Sequence, residues 1–166
     1  MMTKLYILLL AALVSCSPRP LREAQNVVAQ ADSLWHNGQM YGIDAGDSAT
    51  LANAYETLGK HAFVHRTSVF RTYVHSCYHY GRLLRQKDNP VEAMQVFINA
   101  THTPAHDYHI LGRVYSNMGS ICHLAGEYGL AYDMYERSAI CFSGTVIPCP
   151  IAMRVMTWHL SWQSKD

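Results

Sequence analysis

The chain has 166 residues, of which 49% are hydrophobic and 15% charged, and its formal net charge is +1 with His neutral. This composition excludes a chain that is disordered for lack of apolar residues and a membrane protein with many spans. The small net charge argues against a nucleic-acid partner, which requires Lys and Arg clustered on one face. The densest basic group, Arg82, Arg85 and Lys87, is followed at once by Asp88 and Glu92. We interpret it as the solvated C-terminal end of a helix, where cations are favourable.

The first residues are typical of an export signal. Residues 1–15 read MMTKLYILLLAALVS, in which Lys4 precedes an uninterrupted apolar run over 5–14. A helix of that length spans about 15 Å, half of a bilayer core of about 30 Å, but it matches the core of a signal peptide. The following Leu13-Val14-Ser15-Cys16 resembles the lipobox of bacterial lipoproteins, which implies cleavage before Cys16 and lipid attachment to its thiol. An ordinary signal peptide, or a buried apolar helix with a chance Cys, is the alternative.

Two helices are expected next, over 21–35 and 48–59, and they form a degenerate N-terminal pair within 21–67. Residues 16–20 are predicted to be an extended tether, because Pro18 and Pro20 disfavour helix. The first helix carries an apolar stripe of Leu21, Ala24, Val28, Ala31 and Trp35. Asp47 or Ser48 is expected to cap the second helix, and Gly59 to end it.

A repeated pattern begins near Ser68, within the region 68–166. One helix has an inward stripe, a turn over 86–89 follows, and Pro90 suits the first position of the next helix. The stripe positions of these two helices are Cys77, Tyr80, Gly81, Leu84, Ala93, Phe97 and Ala100. The same order returns 38 residues later (119 − 81) as Tyr115, Met118, Gly119, Cys122, Ala131, Tyr135 and Ser138. Small residues at matching positions predict close helix–helix approach, and the aromatic residues predict what fills the remaining space.

This spacing resembles the tetratricopeptide repeat, and the whole chain is similar to the repeat-containing lipoproteins of Bacteroidetes. The resemblance implies an all-α fold in which antiparallel helix pairs, over about 68–105 and 106–143, stack as an α-solenoid. Cys77, Leu84 and Cys122 depart from the family, which prefers aromatic residues there, and its period is about 34 residues. The residues over 144–166 carry Met153, Met156 and Leu160 in helical register and match only half of a further repeat. We therefore expect the solenoid to be truncated at its C-terminal end.

Two groups of histidines are candidate metal ligands. His75 and His79 share a helical face, and His102, His106, Asp107 and His109 crowd a loop. Both sets supply zinc-ligand types, but the first has no third ligand and the second is an ordinary polar loop, so neither a metal nor another cofactor is expected. No nucleophile or phosphate-loop motif is present, and we predict that the protein is not an enzyme.

The sequence leaves open whether the remaining cysteines form disulfides, since a location in the cell envelope permits them. Cys77 and Cys122 fall on inward stripes, which favours buried thiols. The sequence does not indicate whether Cys141 and Cys149 are thiols or disulfides.

The expected function is that of a membrane-anchored, non-catalytic scaffold in the bacterial cell envelope, attached by its N-terminal lipid and binding a protein or peptide. The groove is predicted on the first helix of each repeat, away from the packed stripe. Its candidate residues are Arg71, His75, Tyr78, His79, Arg113, Asn117 and His123. The alternative function is the periplasmic sensory part of a regulator whose C-terminal effector domain is missing from this chain.

Overall fold

The computed structural model describes residues 19–37, 45–62, 68–104 and 107–143, which form six helices and no strand. The helices are α1 (Arg19–His36), α2 (Ala45–Ala62), α3 (Ser68–Gln86), α4 (Pro90–Thr101), α5 (Tyr108–Leu124) and α6 (Tyr128–Ser143). The all-helical class expected from the sequence is confirmed for these residues. The proposed signal peptide, Cys16, His106, Cys149 and the half repeat over 144–166 lie outside the described residues.

The first two helices differ from the prediction at their ends. Helix α1 begins at Arg19, inside the expected tether, because Pro20 falls in its first turn, where a missing N–H is tolerated. Helix α2 begins at Ala45, before both of the predicted cap residues. The prediction that Gly59 ends α2 is wrong, since the helix continues to Ala62. Gly59 instead gives room to the Tyr73 ring of α3, whose Cε2 would lie 3.3 Å from a Cβ added at Gly59.

Local chemistry sets the turn between α3 and α4 as predicted. Asn89 is the N-cap of α4 and its side chain accepts a hydrogen bond from the Glu92 N–H, while Pro90 opens the helix. Asp88, with φ of 58°, completes the reversal. The two helices then approach so closely at Gly81 that a Cβ there would lie 2.5 Å from Cε1 of Phe97. The small residue at position 81 is therefore required by the buried ring of α4.

The pair α5–α6 repeats this geometry. The Asp107 side chain caps α5, which ends at Leu124. Ala125 is its C-cap, and the φ of +78° at the following Gly126 suits glycine. Gly119 faces the Tyr135 ring, and the Ser138 hydroxyl donates a hydrogen bond of 2.8 Å to the Gly112 carbonyl. The contacts run in opposite senses along the two helices, so α5 and α6 are antiparallel.

The odd-numbered helices lie side by side. Asp32 of α1 contacts His75 of α3, and the later residue Trp35 contacts the later residue Arg82. The two helices therefore run parallel. Helix α3 meets α5 in the same sense, from His75 with Asp107 to Tyr78 with Arg113. One continuous apolar cluster joins the helices from α1 to α6 behind this row. The C-terminal part of α1, the middle of α3 and the start of α5 thereby meet at His75.

The residues predicted to pack the repeats are mostly inside. The fully buried ones are Gly81, Leu84, Ala93, Phe97, Ala100, Met118, Gly119, Cys122 and Ala131. Tyr80 and Tyr115 are half-buried. Tyr135 differs from the expectation because 40% of it is exposed even though its ring covers Gly119. Its hydroxyl reaches outward to Ser120 at 3.4 Å, so this ring closes the side of the α5–α6 pair without entering the core.

Candidate functional site

The polar side chains of α1, α3 and the start of α5 meet in one cluster centred on His75. This ring lies between two carboxylates, with its Nδ1 2.9 Å from Oδ2 of Asp32 and its Nε2 3.1 Å from Oδ2 of Asp107. A carboxylate only accepts hydrogen bonds, so both contacts are satisfied together only when both ring nitrogens carry a proton. The geometry therefore fits the positively charged imidazolium form of His75.

The electrostatics of His75 agree with that assignment. Burial of the ring disfavours its charged form, but the hydrogen bonds and negative charges of Asp32 and Asp107 outweigh this effect and raise the pKa of His75 above 6.5. The pKa values of both carboxyls are lowered from 3.8, because their bonds to His75 outweigh the opposing effect of burial. The cluster consequently favours a cation between two anions.

His79 adds a neutral member to the same cluster. Its Nε2 lies 2.7 Å from Oδ1 of Asp32, and its side chain is only 1% exposed. Burial is the largest influence on this ring, and together with the nearby charges of Arg82 and His75 it lowers the pKa of His79 below 6.5 despite the Asp32 contact. The Nε2–H therefore donates to Asp32, and the Nδ1 atom is buried with no hydrogen-bond partner among the described residues.

Asp107 has three roles at this point of the fold. Its Oδ1 accepts the Ile110 N–H and caps α5, while its Oδ2 accepts from His75 and from Arg71 Nε at 3.1 Å. The Arg71 side chain is 73% exposed, so its ion pair with Asp107 is at the surface and weak. The Asp107 carboxylate thus joins the start of α5 to two side chains of α3.

A cationic and aromatic group lies beside the cluster, further along the same face. The guanidinium carbons of Arg82 and Arg113 lie 4.5 Å and 4.6 Å from the centre of the Trp35 ring. Trp35 meets Tyr78 edge to face at a centroid distance of 5.5 Å. Such cation–π contacts are worth about 0.5–2 kcal/mol each, depending on desolvation. Side chains from α1, α3 and α5 therefore converge on one indole.

The structure unites five of the predicted groove residues and separates two. Arg71, His75, Tyr78, His79 and Arg113 all belong to the cluster or to its cationic neighbour. The prediction that Tyr78 and His79 are free to contact a ligand is wrong, because each is 2% exposed. Both are buried against α1, which the repeat pattern did not align.

The two remaining groove residues lie further along α5. Asn117 is half-buried and donates to the Arg113 carbonyl on its own helix. His123 is exposed near the end of α5 and packs edge to face on Tyr128 of α6. Neither belongs to the His75 cluster.

Sequence reasoning missed three members of this site. Asp32 and Trp35 were assigned to a helix outside the repeats, although their spacing of three places them on one helical face. Arg82 was interpreted as part of a solvated helix end, which is wrong, because it is 7% exposed over Trp35. The available signal for this site in the sequence was Trp35 beside Asp32 on one face of α1.

The structure also addresses the cysteines and the metal candidates. Cys77 and Cys122 are buried free thiols, and burial raises the pKa of Cys77 to about 12 and that of Cys122 to about 11. Within the described ranges, no group of three or more His, Cys, Asp or Glu side chains is placed to hold a metal ion. His102 and His109, from the predicted loop cluster, are exposed, and His109 packs on the Phe142 ring.

Comparison with protein-family models, with curated proteins and with solved structures gives no match to this chain. Its function is therefore inferred from geometry and chemistry. Among the helices with described positions, none has the length and hydropathy needed to cross a membrane.

Proposed function

We propose that the protein is a non-catalytic helical repeat scaffold, similar to tetratricopeptide repeats, that binds a peptide across the face formed by α1, α3 and α5. The proposal is supported by the parallel row of odd-numbered helices and by the packing of α3 on α4 and of α5 on its antiparallel partner α6. A stack of this kind presents the first helix of each pair along one side, where an extended segment of a partner fits. The 38-residue repeat in the sequence gives the same pairing.

The observation that carries the proposal is the convergence of Arg82 and Arg113 on Trp35. The Arg113 guanidinium over this ring has N–H groups around its edge, which match the two oxygens of a carboxylate. Arg113 and Trp35 are half-buried, so they are partly screened from water yet accessible from the face. An acidic peptide is the partner class with the complementary charge.

The test is a selection of random displayed peptides on the full chain, followed by affinity measurements with the best synthetic peptide. Selected peptides are expected to be enriched in Asp and Glu. Arg113→Gln is expected to weaken binding about tenfold or more, which corresponds to about 1.4 kcal/mol.

Lys87→Gln is the matched control, because it removes the same charge from an exposed position in the turn after α3. Equal affinities of the two variants, or selected peptides without acidic enrichment, would contradict the assignment of this face.

The proposal extends to anchoring in the bacterial cell envelope through lipid on Cys16. The motif at 13–16 and the apolar run before it support this part. Labelled palmitate fed to expressing bacteria is expected to enter the wild-type chain and to be absent from Cys16→Ser. Incorporation into the variant would remove the anchoring proposal without affecting the peptide-binding face.

A further inference from the structure

We propose that His75 is a pH-dependent clasp that fixes α1 and the start of α5 against α3 and so controls the affinity of the binding face. Its effect on binding rests on the function proposed above, whereas the clasp itself is a property of the fold. Two helices that are distant in sequence reach α3 at one side chain, since Asp32 is 43 residues before His75 and Asp107 is 32 residues after it.

The clasp depends on the number of protons on one ring. A neutral imidazole has one N–H and one lone pair, so it donates to only one of two carboxylates. With Nδ1 2.9 Å from Asp32 and Nε2 3.1 Å from Asp107, loss of a proton leaves a lone pair facing an anion. That contact then repels, and either α1 or the start of α5 loses one of its polar contacts with α3.

The surrounding groups set the direction of the switch. From α1 the ring faces Asp32, and from the cap of α5 it faces Asp107, both of which are ionised near neutral pH because their pKa values are lowered. On α3 itself the neighbours are Arg71, which bonds Asp107, and His79, which bonds Asp32.

The helices α2 and α4 pack against a different part of α3. Their charged groups near this helix, Glu56 and Glu92, act on Tyr80, and Glu92 accepts the hydrogen bond from its hydroxyl. The balance at His75 is thus two anions against the distal cation Arg71, which favours the protonated ring.

The two histidines titrate in separate ranges. The pKa of His75 is raised and that of His79 is lowered from 6.5, so His79 loses its proton at a lower pH than His75. A rise in pH through the pKa of His75 therefore releases the clasp while His79 keeps its neutral form and its bond to Asp32. The clasp is therefore formed below the pKa of His75 and is released above it.

Loosening of the clasp acts on the binding face through geometry. Trp35 lies one helical turn after Asp32 on α1, and Arg113 lies two turns after Asp107 on α5. Movement of either helix relative to α3 changes the distance between the indole and the two guanidiniums. Affinity for an acidic peptide is consequently expected to fall as His75 loses its proton.

The direct test is nitrogen-15 NMR of the histidine rings in the full chain as a function of pH. His75 is expected to titrate above 6.5 with both ring nitrogens protonated at lower pH, and His79 is expected to remain neutral with its proton on Nε2. Asp107→Asn keeps a capping side chain but removes one anion, so it should lower the pKa of His75. A His75 signal that titrates at or below 6.5 in the wild-type chain would overturn the clasp.

Hydrogen exchange at about pH 6 and about pH 8 measures the structural consequence, after correction for the intrinsic effect of pH on exchange. Protection of the first turn of α5 or of the last turns of α1 should fall several-fold at the higher pH in the wild type. His75→Gln should remove this difference, and His102→Gln, at an exposed position, should preserve it. Protection that is unchanged with pH in the wild type would overturn the clasp.

Peptide affinity at the same two pH values separates the clasp from the proposed function. Tighter binding at the lower pH, lost in His75→Gln, supports regulation of the face by the clasp. Binding with the same affinity at both pH values overturns the regulation and leaves the peptide-binding function intact. Absence of acidic-peptide binding at both pH values overturns the proposed function. The ring titration and the exchange data then decide the clasp on their own.

Discussion

Gly81 gives the sharpest test of how the helices pack. In Gly81→Ala the added Cβ would lie 2.5 Å, 2.8 Å and 2.9 Å from three carbons of the Phe97 ring. Phe97 is 0% exposed, so its ring has no open space into which it could move. The substitution must therefore separate α3 from α4 or force the ring out of its preferred rotamer.

The magnitude follows from two opposing effects. Ala is favoured over Gly in a helix by about 1 kcal/mol, whereas overpacking of a full core costs about 1–3 kcal/mol and occasionally more. Because three contacts fall below 3.0 Å at once, we expect the upper part of that range and a net loss of about 1–2 kcal/mol. For a chain of this size the midpoint of thermal unfolding should fall by about 2–8 °C.

Two other glycines serve as matched controls. Gly119→Ala would place a Cβ 2.8 Å from Tyr135, but that ring is 40% exposed and swings outward at little cost, so a net change near zero is expected. Gly129→Ala meets nothing within 4 Å in the first turn of α6 and should stabilise the chain by up to about 1 kcal/mol. Gly81→Ala is expected to be the least stable variant, Gly119→Ala the next and Gly129→Ala the most stable.

Urea unfolding of the full chain, followed by far-UV circular dichroism, measures this order. Phe97→Leu in the Gly81→Ala background should recover part of the loss, because a smaller side chain frees space at the contact. If Gly81→Ala is as stable as the wild type, or the three variants are equal, the close approach of α3 to α4 is wrong.

Three further predictions concern the charge, the thiols and a buried hydrogen bond. The folded-state pKa of His75 lies above 6.5, so the stabilising contribution of the charged ring is complete below pH 6.5 and is lost as pH rises through the folded-state pKa. The free energy of unfolding should therefore fall as pH rises through that pKa in the wild type, and much less in His75→Gln. Cys77 and Cys122 should react with a mapped thiol reagent only after urea unfolding, because burial raises both pKa values, and rapid modification of the native chain would contradict their placement. Ser138→Ala should cost about 1–2 kcal/mol in urea unfolding by leaving the Gly112 carbonyl without its 2.8 Å hydrogen bond, and an unchanged midpoint would contradict that contact.

Local signals in the sequence predicted the elements with the clearest chemistry. Pro90 marked the start of α4, because a first helical position needs no N–H, and the structure adds Asn89 as the cap that accepts a backbone N–H. The period of 38 residues paired Gly81 with Gly119 and placed Phe97 and Tyr135 behind them. These features depend on neighbours within a few residues or on a simple period, so they can be predicted from the sequence alone.

The tertiary structure alone decided which polar side chains are buried and what they contact. Gly59 looked like a helix end, yet it lies inside α2 because the Tyr73 ring needs the space there. Arg82 looked solvated, yet Trp35 covers it from a helix that shows no repeat pattern. The His75 cluster likewise joins Asp32 and Asp107 across long stretches of chain. The free energy of a buried charge depends on partners brought together by packing, and helical periodicity carries no information about which distant residue supplies the opposite charge.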